Sequence, residues 1–286
     1  MPELPEVETI AQRLHDVLSK KKITKVTVYK QKSFQGSSKL LINQPIVAVS
    51  RRAKLIRFHL PGEINLLAHL KMTGQFIFVD HVGLRVGGGH PSADWIQELP
   101  SKHTRVAFEL QDFEGKTHLL FFNDMRIFGW IKVATETEVL EEYKKYGPDI
   151  HTEAANLKYF SEKLAKTSRK IKQVIMDNSV VSGVGNIYAC DGLNLAKINP
   201  ERPANSLTEV EVIRLLDSLK QVINLGIELG GATIDKYRNV DGFSGKYQEQ
   251  VRVYGLEGKQ CKNCGGTIKK IKLGGRGTYF CPICQV

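Results

Sequence analysis

Four cysteines near the C-terminal end constrain this chain more than any other feature of its sequence. Cys261 and Cys264 are separated by two residues, as are Cys281 and Cys284, and sixteen residues lie between the pairs. This is the spacing of a four-thiolate zinc site, in which each pair sits on a tight turn. Two disulfide bonds or a chance spacing are the alternatives, and a cytoplasmic chain disfavours disulfides. The pattern predicts one structural zinc ion whose four protein ligands leave no position open for catalysis.

The residues between the cysteine pairs are typical of a β-hairpin. Thr267–Leu273 and Gly277–Phe280 have strand character, and Gly274-Gly275 is a turn signal. Arg276 is therefore expected at the tip, where a guanidinium can bind phosphate. The last 35 residues carry seven basic residues and one acid. We therefore predict that 252–286 forms a basic zinc finger.

Length and charge narrow the function class. The chain has 286 residues, which favours two domains, and its hydrophobic (42%) and charged (25%) fractions exclude wholesale disorder and a coiled-coil rod. It has no run of 18 apolar residues and its first residues resemble no signal peptide, so we expect a cytoplasmic protein without a membrane partner. The formal net charge of +11 favours nucleic acid as the partner. On charge alone, a basic protein without such a partner is the alternative.

The first half of the chain predicts a β-sandwich or barrel behind one helix. Residues 1–18 have a helical apolar stripe with Pro2 and Pro5 at its start. Strands are expected at Ile23–Tyr29, Ile46–Ser50, Leu55–Leu60, Ile64–Val79, Thr104–Leu110, Thr117–Phe122 and Trp130–Ala134. The stretch 80–103, with Gly87-Gly88-Gly89, is expected to be a long loop. This organisation predicts a domain at 1–133.

The second half of the chain has helical patterns. A linker is predicted at 134–150, and a helical domain at 151–251 with a flexible loop over 232–251. Asn186 is expected to cap one helix, and Ser206 with Glu209 to form the capping box of the next. The glycine-rich turn between these helices resembles a helix-turn-helix variant.

The first residues could carry nucleophilic chemistry. Removal of Met1 would leave Pro2 with a secondary amine, and α-amino groups have a pKa of about 7.7–8.0. Such an amine can attack a sugar C1′ to give an iminium, with Glu3 and Glu6 at hand for proton transfer. The residues alone favour a plain helix start, with a proline in the first turn and acids that complement the helix dipole.

Several motifs, in order from the first residue to the last, resemble those of bacterial formamidopyrimidine-DNA glycosylases. They are MPELPEVET at the start, RRAK (51–54), HLKMTG (69–74), DMRIFG (124–129), DNSVVSGVGNIYA (177–189) and the terminal GRGTYFCPICQ. The resemblance implies an α+β multidomain fold. It has an N-terminal β-sandwich flanked by helices, then a helix–two-turn–helix domain and a four-cysteine zinc-finger hairpin.

The resemblance also implies an activity. The family excises oxidised purines, 8-oxoguanine and formamidopyrimidines, from duplex DNA and cuts the strand by β- and δ-elimination. By resemblance, Pro2 is the nucleophile, Glu3 assists sugar ring-opening and Glu6 is the second N-terminal carboxylate. Lys54 is similar to the lysine that holds phosphate and takes part in elimination, and Arg276 to the finger arginine of δ-elimination.

Further residues resemble the family's DNA contacts. Met72, Arg126 and Phe128 are similar to the three side chains that fill the gap left by the flipped nucleotide. Asn186 resembles the phosphate contact of the helical domain. His69, His103, Lys172 and Tyr254 resemble further DNA contacts of the family. Ile127 departs from the family, which usually carries a second basic residue there, so one backbone contact is expected to be lost.

Three other readings lead to different expectations. A protein of the endonuclease VIII type would prefer oxidised pyrimidines. A non-catalytic protein that binds damaged DNA would lack Pro2, Glu3 or Lys54. A zinc-ribbon adaptor would leave the β domain unexplained. The preferred reading is a monomeric bacterial enzyme of the cytoplasm, associated with the nucleoid when bound to DNA.

Overall fold

The computed structural model describes residues 2–89, 98–232 and 245–286. The chain divides into two compact units. The first comprises Met1–Lys144 with Gly230–Lys246, and the second comprises Lys145–Leu229 with Tyr247–Val286. Within the described part of the chain, no helix is both long and apolar enough to cross a membrane.

The first unit is a β-sandwich, with one helix before its strands in the chain and one helix after them. Its helices are α1 (Leu4–Leu18) and α2 (Glu136–Tyr143). Its strands are β1 (Lys22–Val28), β2 (Phe34–Gln35), β3 (Ala48–Arg52), β4 (Leu55–His59), β5 (Ile64–His69), β6 (Gly74–Val79), β7 (Arg85–Gly89), β8 (Thr104–Gln111), β9 (Thr117–Asp124) and β10 (Trp130–Thr135). One sheet has the order β1-β8-β9-β6-β7 and the other β2-β10-β5-β4-β3. The predicted β-sandwich is confirmed.

One apolar core joins the two sheets and α1. The Phe58 ring of β4 lies 5.4 Å from the Phe76 ring of β6, and Phe76 lies 5.1 Å from Phe122 of β9. The stripe of α1, with Ile10 and Leu14 fully buried, packs into the same cluster. Because burial of apolar area is the main favourable term in folding, this core fixes where α1 begins relative to the strands.

Two strand predictions were wrong. The apolar run Ile64–Val79 forms two strands in different sheets, because the chain reverses at Leu70–Thr73 around Lys71, which has φ +50°. Within the predicted long loop, Arg85–Gly89 is strand β7, paired with β6. A Cβ at Gly87 would lie 2.2 Å from the Phe76 carbonyl oxygen. Glycine is therefore required there by close strand packing. Residues 90–97 of the predicted loop lie outside the described residues.

The second unit contains helices and one hairpin. Its helices are α3 (Leu157–Ala165), α4 (Ile171–Ile175), α5 (Asn186–Leu195) and α6 (Glu209–Glu228), and its strands are β11 (Lys269–Leu273) and β12 (Arg276–Phe280). Helix α2 lies inside the predicted linker 134–150. Most of the predicted 232–251 loop, residues 233–244, lies outside the described residues.

Two capping predictions in this unit were wrong by one or two residues. Gly185 is the N-cap of α5, and Asn186 is its first helical residue. The capping box of α6 is formed by Thr208 and Glu211, since the Thr208 hydroxyl accepts from the Glu211 N–H and the Glu211 carboxylate accepts from the Thr208 N–H. Because Asn186 is not the N-cap of α5, its side chain is available for contacts elsewhere in the unit.

Candidate functional site

The start of α1 places two buried carboxylates beside Pro2. Pro2 is buried, and Glu3 and Glu6 are 6% and 3% exposed. The Glu3 N–H donates to Glu6 Oε2 at 2.7 Å, which satisfies one of the backbone donors that a helix start leaves open. The positive end of the helix dipole favours negative charge at this position. The residues that the sequence assigned to catalysis at the N-terminus thus lie together.

Glu6 also joins α1 to the segment around Gly231. Its Oε1 accepts from the Ala232 N–H at 2.7 Å. Gly231 has φ +88°, and a Cβ there would lie 2.8 Å from Glu6 Oε1. Both oxygens of Glu6 therefore accept backbone hydrogen bonds. Glu6 lies in the candidate site and also joins the start of α1 to the segment around Gly231.

Lys54 lies in the turn between β3 and β4 and is tied to α1 through Arg51. The Arg51 side chain bonds Glu8 of α1 at 2.6 Å and donates to the Ala53 carbonyl at 2.9 Å. Ala53 has φ +54°, and Lys54 is 5% exposed. The Arg51 guanidinium therefore bridges helix α1 and the turn that carries Lys54. Sequence reasoning missed Arg51, although it belongs to the RRAK motif.

His69 is held neutral beside Lys54. It is 8% exposed, and burial lowers its pKa to about 3, with the charges of Lys71 and Lys54 adding to the effect. Its Nδ1 accepts from the Lys71 N–H at 3.0 Å, so the neutral ring carries its proton on Nε2. The geometry leaves His69 able to donate one hydrogen bond.

This low pKa predicts a loss of stability as the pH falls. The unfolded chain protonates His69 near its usual pKa of 6.5, whereas the folded chain stays neutral down to about 3. Stability is therefore fully present above pH 6.5 and is lost below it, by about 2 kcal/mol between pH 7 and pH 5. His69→Asn should remove that part of the pH dependence in urea unfolding, followed by tryptophan fluorescence. An unchanged dependence in the variant would contradict the burial argument.

Two neighbouring loops of the first unit present the predicted gap-filling residues. Met72 lies between β5 and β6 and is 40% exposed, while Arg126 and Phe128 lie between β9 and β10, with Phe128 48% exposed. The Arg126 guanidinium lies 4.8 Å from the centroid of the Phe128 ring. The His103 carbonyl accepts from the Asp124 N–H at 2.9 Å, which places His103 beside the second loop. Apolar side chains and a cation are thus exposed together, as a wedge into DNA requires.

In the second unit, a buried lysine links the helices to the hairpin. Lys172 is 1% exposed, and its Nζ donates to Asn186 Oδ1 at 2.5 Å and to the Thr278 hydroxyl at 2.7 Å. Asn186 Nδ2 in turn donates to the Gly277 carbonyl at 2.9 Å. The exposed Arg276 directly precedes Gly277. Lys172 and Asn186, predicted as DNA contacts, therefore also fix the base of the arginine-bearing turn.

Asp191 anchors the segment that carries Tyr254, and sequence reasoning missed it. This fully buried carboxylate accepts from the Val253 N–H at 3.0 Å, the Tyr254 N–H at 3.2 Å and the Tyr247 hydroxyl at 3.1 Å. Burial raises the pKa of Asp191. An acid inside the apolar stretch of α5 was the available signal, since buried carboxylates require partners.

The four predicted cysteine ligands come together. Their sulfur atoms all lie within 4.8 Å of one another, with Cys264 and Cys281 separated by 3.5 Å and Cys261 and Cys284 by 3.7 Å. A tetrahedral zinc ion with sulfur ligands at about 2.3 Å needs sulfur separations of about 3.8 Å. The residues therefore fit zinc. Cys190, which is not one of the four, is 1% exposed and packs beside Cys261 and Cys281.

Comparisons with known proteins cover the whole chain. Family models match the formamidopyrimidine-DNA glycosylase N-terminal domain over residues 1–131, the H2TH domain of the same proteins over 146–238, and a zinc finger found in FPG and IleRS over 258–286. The chain is 39% identical to the formamidopyrimidine-DNA glycosylase of Listeria innocua, with 100% of each chain covered.

Solved structures of the Lactococcus lactis Fpg protein show the same fold. Its complex with DNA containing an abasic site has a TM-score of 0.86 and 33% identity, with 99% of each chain covered. Its complex with DNA containing N7-benzyl-Fapy-dG has a TM-score of 0.85 and 33% identity, with 99% of each chain covered.

Proposed function

This chain belongs to the formamidopyrimidine-DNA glycosylase family, and on that premise we propose which of its residues carry out each step. The enzyme is a base-excision DNA glycosylase and abasic-site lyase that acts on oxidised purines, and it carries one structural zinc ion. The proposal rests above all on Pro2, which is buried directly before a helix whose first turn carries two buried carboxylates.

In the proposed reaction, the Pro2 amine attacks the C1′ atom of the damaged nucleotide. The bond from C1′ to the base breaks, and the base leaves with the proton that the Pro2 amine gives up. Glu3 protonates the ring oxygen of the sugar, which opens the ring and leaves an iminium between Pro2 and C1′. Each carboxylate oxygen of Glu6 accepts a backbone hydrogen bond at 2.7 Å, one from Glu3 and one from Ala232. Glu6 therefore holds Glu3 and Pro2 in position.

The iminium then acts as an electron sink for strand cleavage. It acidifies the neighbouring C2′ carbon, so loss of a C2′ proton expels the 3′ phosphate. Loss of the C4′ proton from the resulting unsaturated iminium then expels the 5′ phosphate. We assign Lys54 and Arg276 to phosphate binding in these steps, because a cation stabilises the departing negative charge. Hydrolysis of the remaining iminium returns the free Pro2 amine.

Base excision requires the damaged nucleotide to leave the helix. Flipping costs a few kcal/mol, and filling the vacated space offsets part of that cost. We assign this to Met72, Arg126 and Phe128, with Arg126 facing the orphaned base. Asn186 is assigned to a phosphate contact, and His69, His103, Lys172 and Tyr254 are assigned to further contacts with DNA. We place the reaction in the bacterial cytoplasm, on nucleoid DNA.

The substrate class is tested by single-turnover cleavage. Duplexes would carry 8-oxoguanine opposite cytosine, 8-oxoguanine opposite adenine, or an oxidised pyrimidine. We expect the fastest cleavage, with covalent trapping by borohydride, on 8-oxoguanine opposite cytosine. Faster cleavage of the pyrimidine would move the enzyme to the endonuclease VIII type, and binding without cleavage would leave a damage reader on an enzyme scaffold.

A further inference from the structure

The two loops that carry Met72, Arg126 and Phe128 converge on one side chain. Asp124 is the last residue of β9 and is fully buried. Asp124 is the first residue of the DMRIFG motif, but neither the family resemblance nor the proposed reaction gives this carboxylate a role. A fully buried carboxylate is costly unless it is well hydrogen-bonded, so its partners indicate what it stabilises.

Those partners come from both loops. Asp124 Oδ2 accepts from the Phe128 N–H at 2.8 Å and the Gly129 N–H at 2.6 Å. Its Oδ1 accepts from the Arg126 N–H at 3.1 Å and from the hydroxyl of Thr73, the residue after Met72. The packing is tight, since a Cβ at Gly129 would lie 3.1 Å from Oδ2.

The second loop has a backbone conformation that needs such support. Ile127 has φ +56°, a left-handed conformation that is strained for a β-branched residue. The N–H groups on either side of it, at Arg126 and Phe128, both bond Asp124. The carboxylate therefore holds the loop in the shape that exposes these two side chains next to each other.

We propose that Asp124, together with Thr73, is a positioning residue that locks the two loops into one preformed wedge. The inference rests on the proposed function, because the wedge matters only if a nucleotide is flipped. Loops that are ordered during folding lose less backbone freedom when their side chains enter DNA, so insertion is easier. Asp124 acts through the loops and takes no part in bond breaking.

Asp124→Asn tests this role while keeping the side-chain shape. The amide NH2 of asparagine would face backbone N–H groups, which are also hydrogen-bond donors. Some N–H groups of the loop would therefore lose their acceptor. We expect excision of 8-oxoguanine from duplex DNA to fall at least about tenfold, and the fluorescence rise of a neighbouring 2-aminopurine to slow in parallel. Borohydride trapping on a single-stranded abasic site should be unchanged, since no base has to be displaced there.

Matched variants separate this role from general stability. Thr73→Ser keeps the hydroxyl and should retain excision, whereas Thr73→Val, of the same shape as threonine, should lose it. Asp112→Asn is the control on the same sheet. Asp112 accepts from the Glu114 and Lys116 N–H groups at 3.0 and 2.9 Å, in the hairpin at the other end of β9. The Asp112→Asn variant should leave duplex excision and single-stranded trapping unchanged.

A double-mutant cycle completes the test. When Arg126 and Phe128 are already alanine, adding Asp124→Asn should lower excision by less than about twofold, because the wedge is gone. Three results would overturn the inference. The effects of Asp124→Asn and of the two alanine substitutions on excision could be additive, or single-stranded trapping could fall as much as duplex excision. Asp124→Asn and Thr73→Val could also both excise normally from the duplex. If instead the wild-type enzyme fails to cleave the 8-oxoguanine duplex, the proposed function fails first, and the inference fails with it.

Discussion

Borohydride added during turnover is expected to link the wild-type enzyme covalently to an 8-oxoguanine duplex, and Pro2→Gly to lower this trapping by about 10- to 100-fold. Pro2 is buried directly before α1, and its ring fixes the direction of the amine. Glycine keeps an amine but loses that constraint, and well-oriented nucleophiles owe much of their rate to orientation. Mass spectrometry of the wild-type protein should show that Met1 has been removed.

A second variant makes the test stricter. One glycine inserted before Pro2 converts the amine into an amide, which is not nucleophilic, so trapping should fall at least about 1000-fold. Both variants should still bind a duplex with a non-cleavable abasic-site analogue, because the wedge and the zinc finger are untouched. Undiminished trapping in the inserted variant would show that an amine other than that of Pro2, either that of the added glycine or that of Lys54, forms the Schiff base.

The parts of the molecule that sequence predicted well depend on local spacing. The four cysteines come together as their spacing requires, and the apolar stripe of α1 packs on the sandwich core. Both signals arise within one element or one hairpin, so residue spacing alone determines them. The family resemblance added the roles of Pro2 and Glu3, which composition left open between chemistry and a plain helix start.

The parts that sequence missed depend on contacts between distant segments. Ala53, Lys71 and Ile127 are non-glycine residues with positive φ, and each lies beside a proposed site residue. Turn rules look for glycine at such positions and therefore fail there. These conformations persist because the surrounding structure holds them, as Asp124 does for Ile127. Such strain at functional loops is visible only once the partner segments are placed.

Cys264→Ser is expected to remove the zinc ion and to weaken DNA binding at least about 100-fold while the β-sandwich stays folded. Cys264 is exposed, so the substitution leaves no cavity in the core. Its effect comes from the lost ligand, and zinc binding supplies most of the folding energy of such small modules. When the hairpin unfolds, Lys172 and Asn186 lose their partners at Thr278 and Gly277.

Cys190→Ala is the control for loss of a thiol, because Cys190 packs in the same buried cluster as Cys261 and Cys281 but is not one of the four ligands. Metal analysis should find one zinc ion per chain in the wild type and in this control, and close to none in Cys264→Ser. Urea unfolding of the sandwich should be the same in all three proteins, because its core is built from α1 and the strands of the first unit. If Cys264→Ser lost zinc and still bound lesion DNA normally, the finger would not be needed for recognition. The assignments of Arg276 and of the Lys172 network to DNA binding would then fail together.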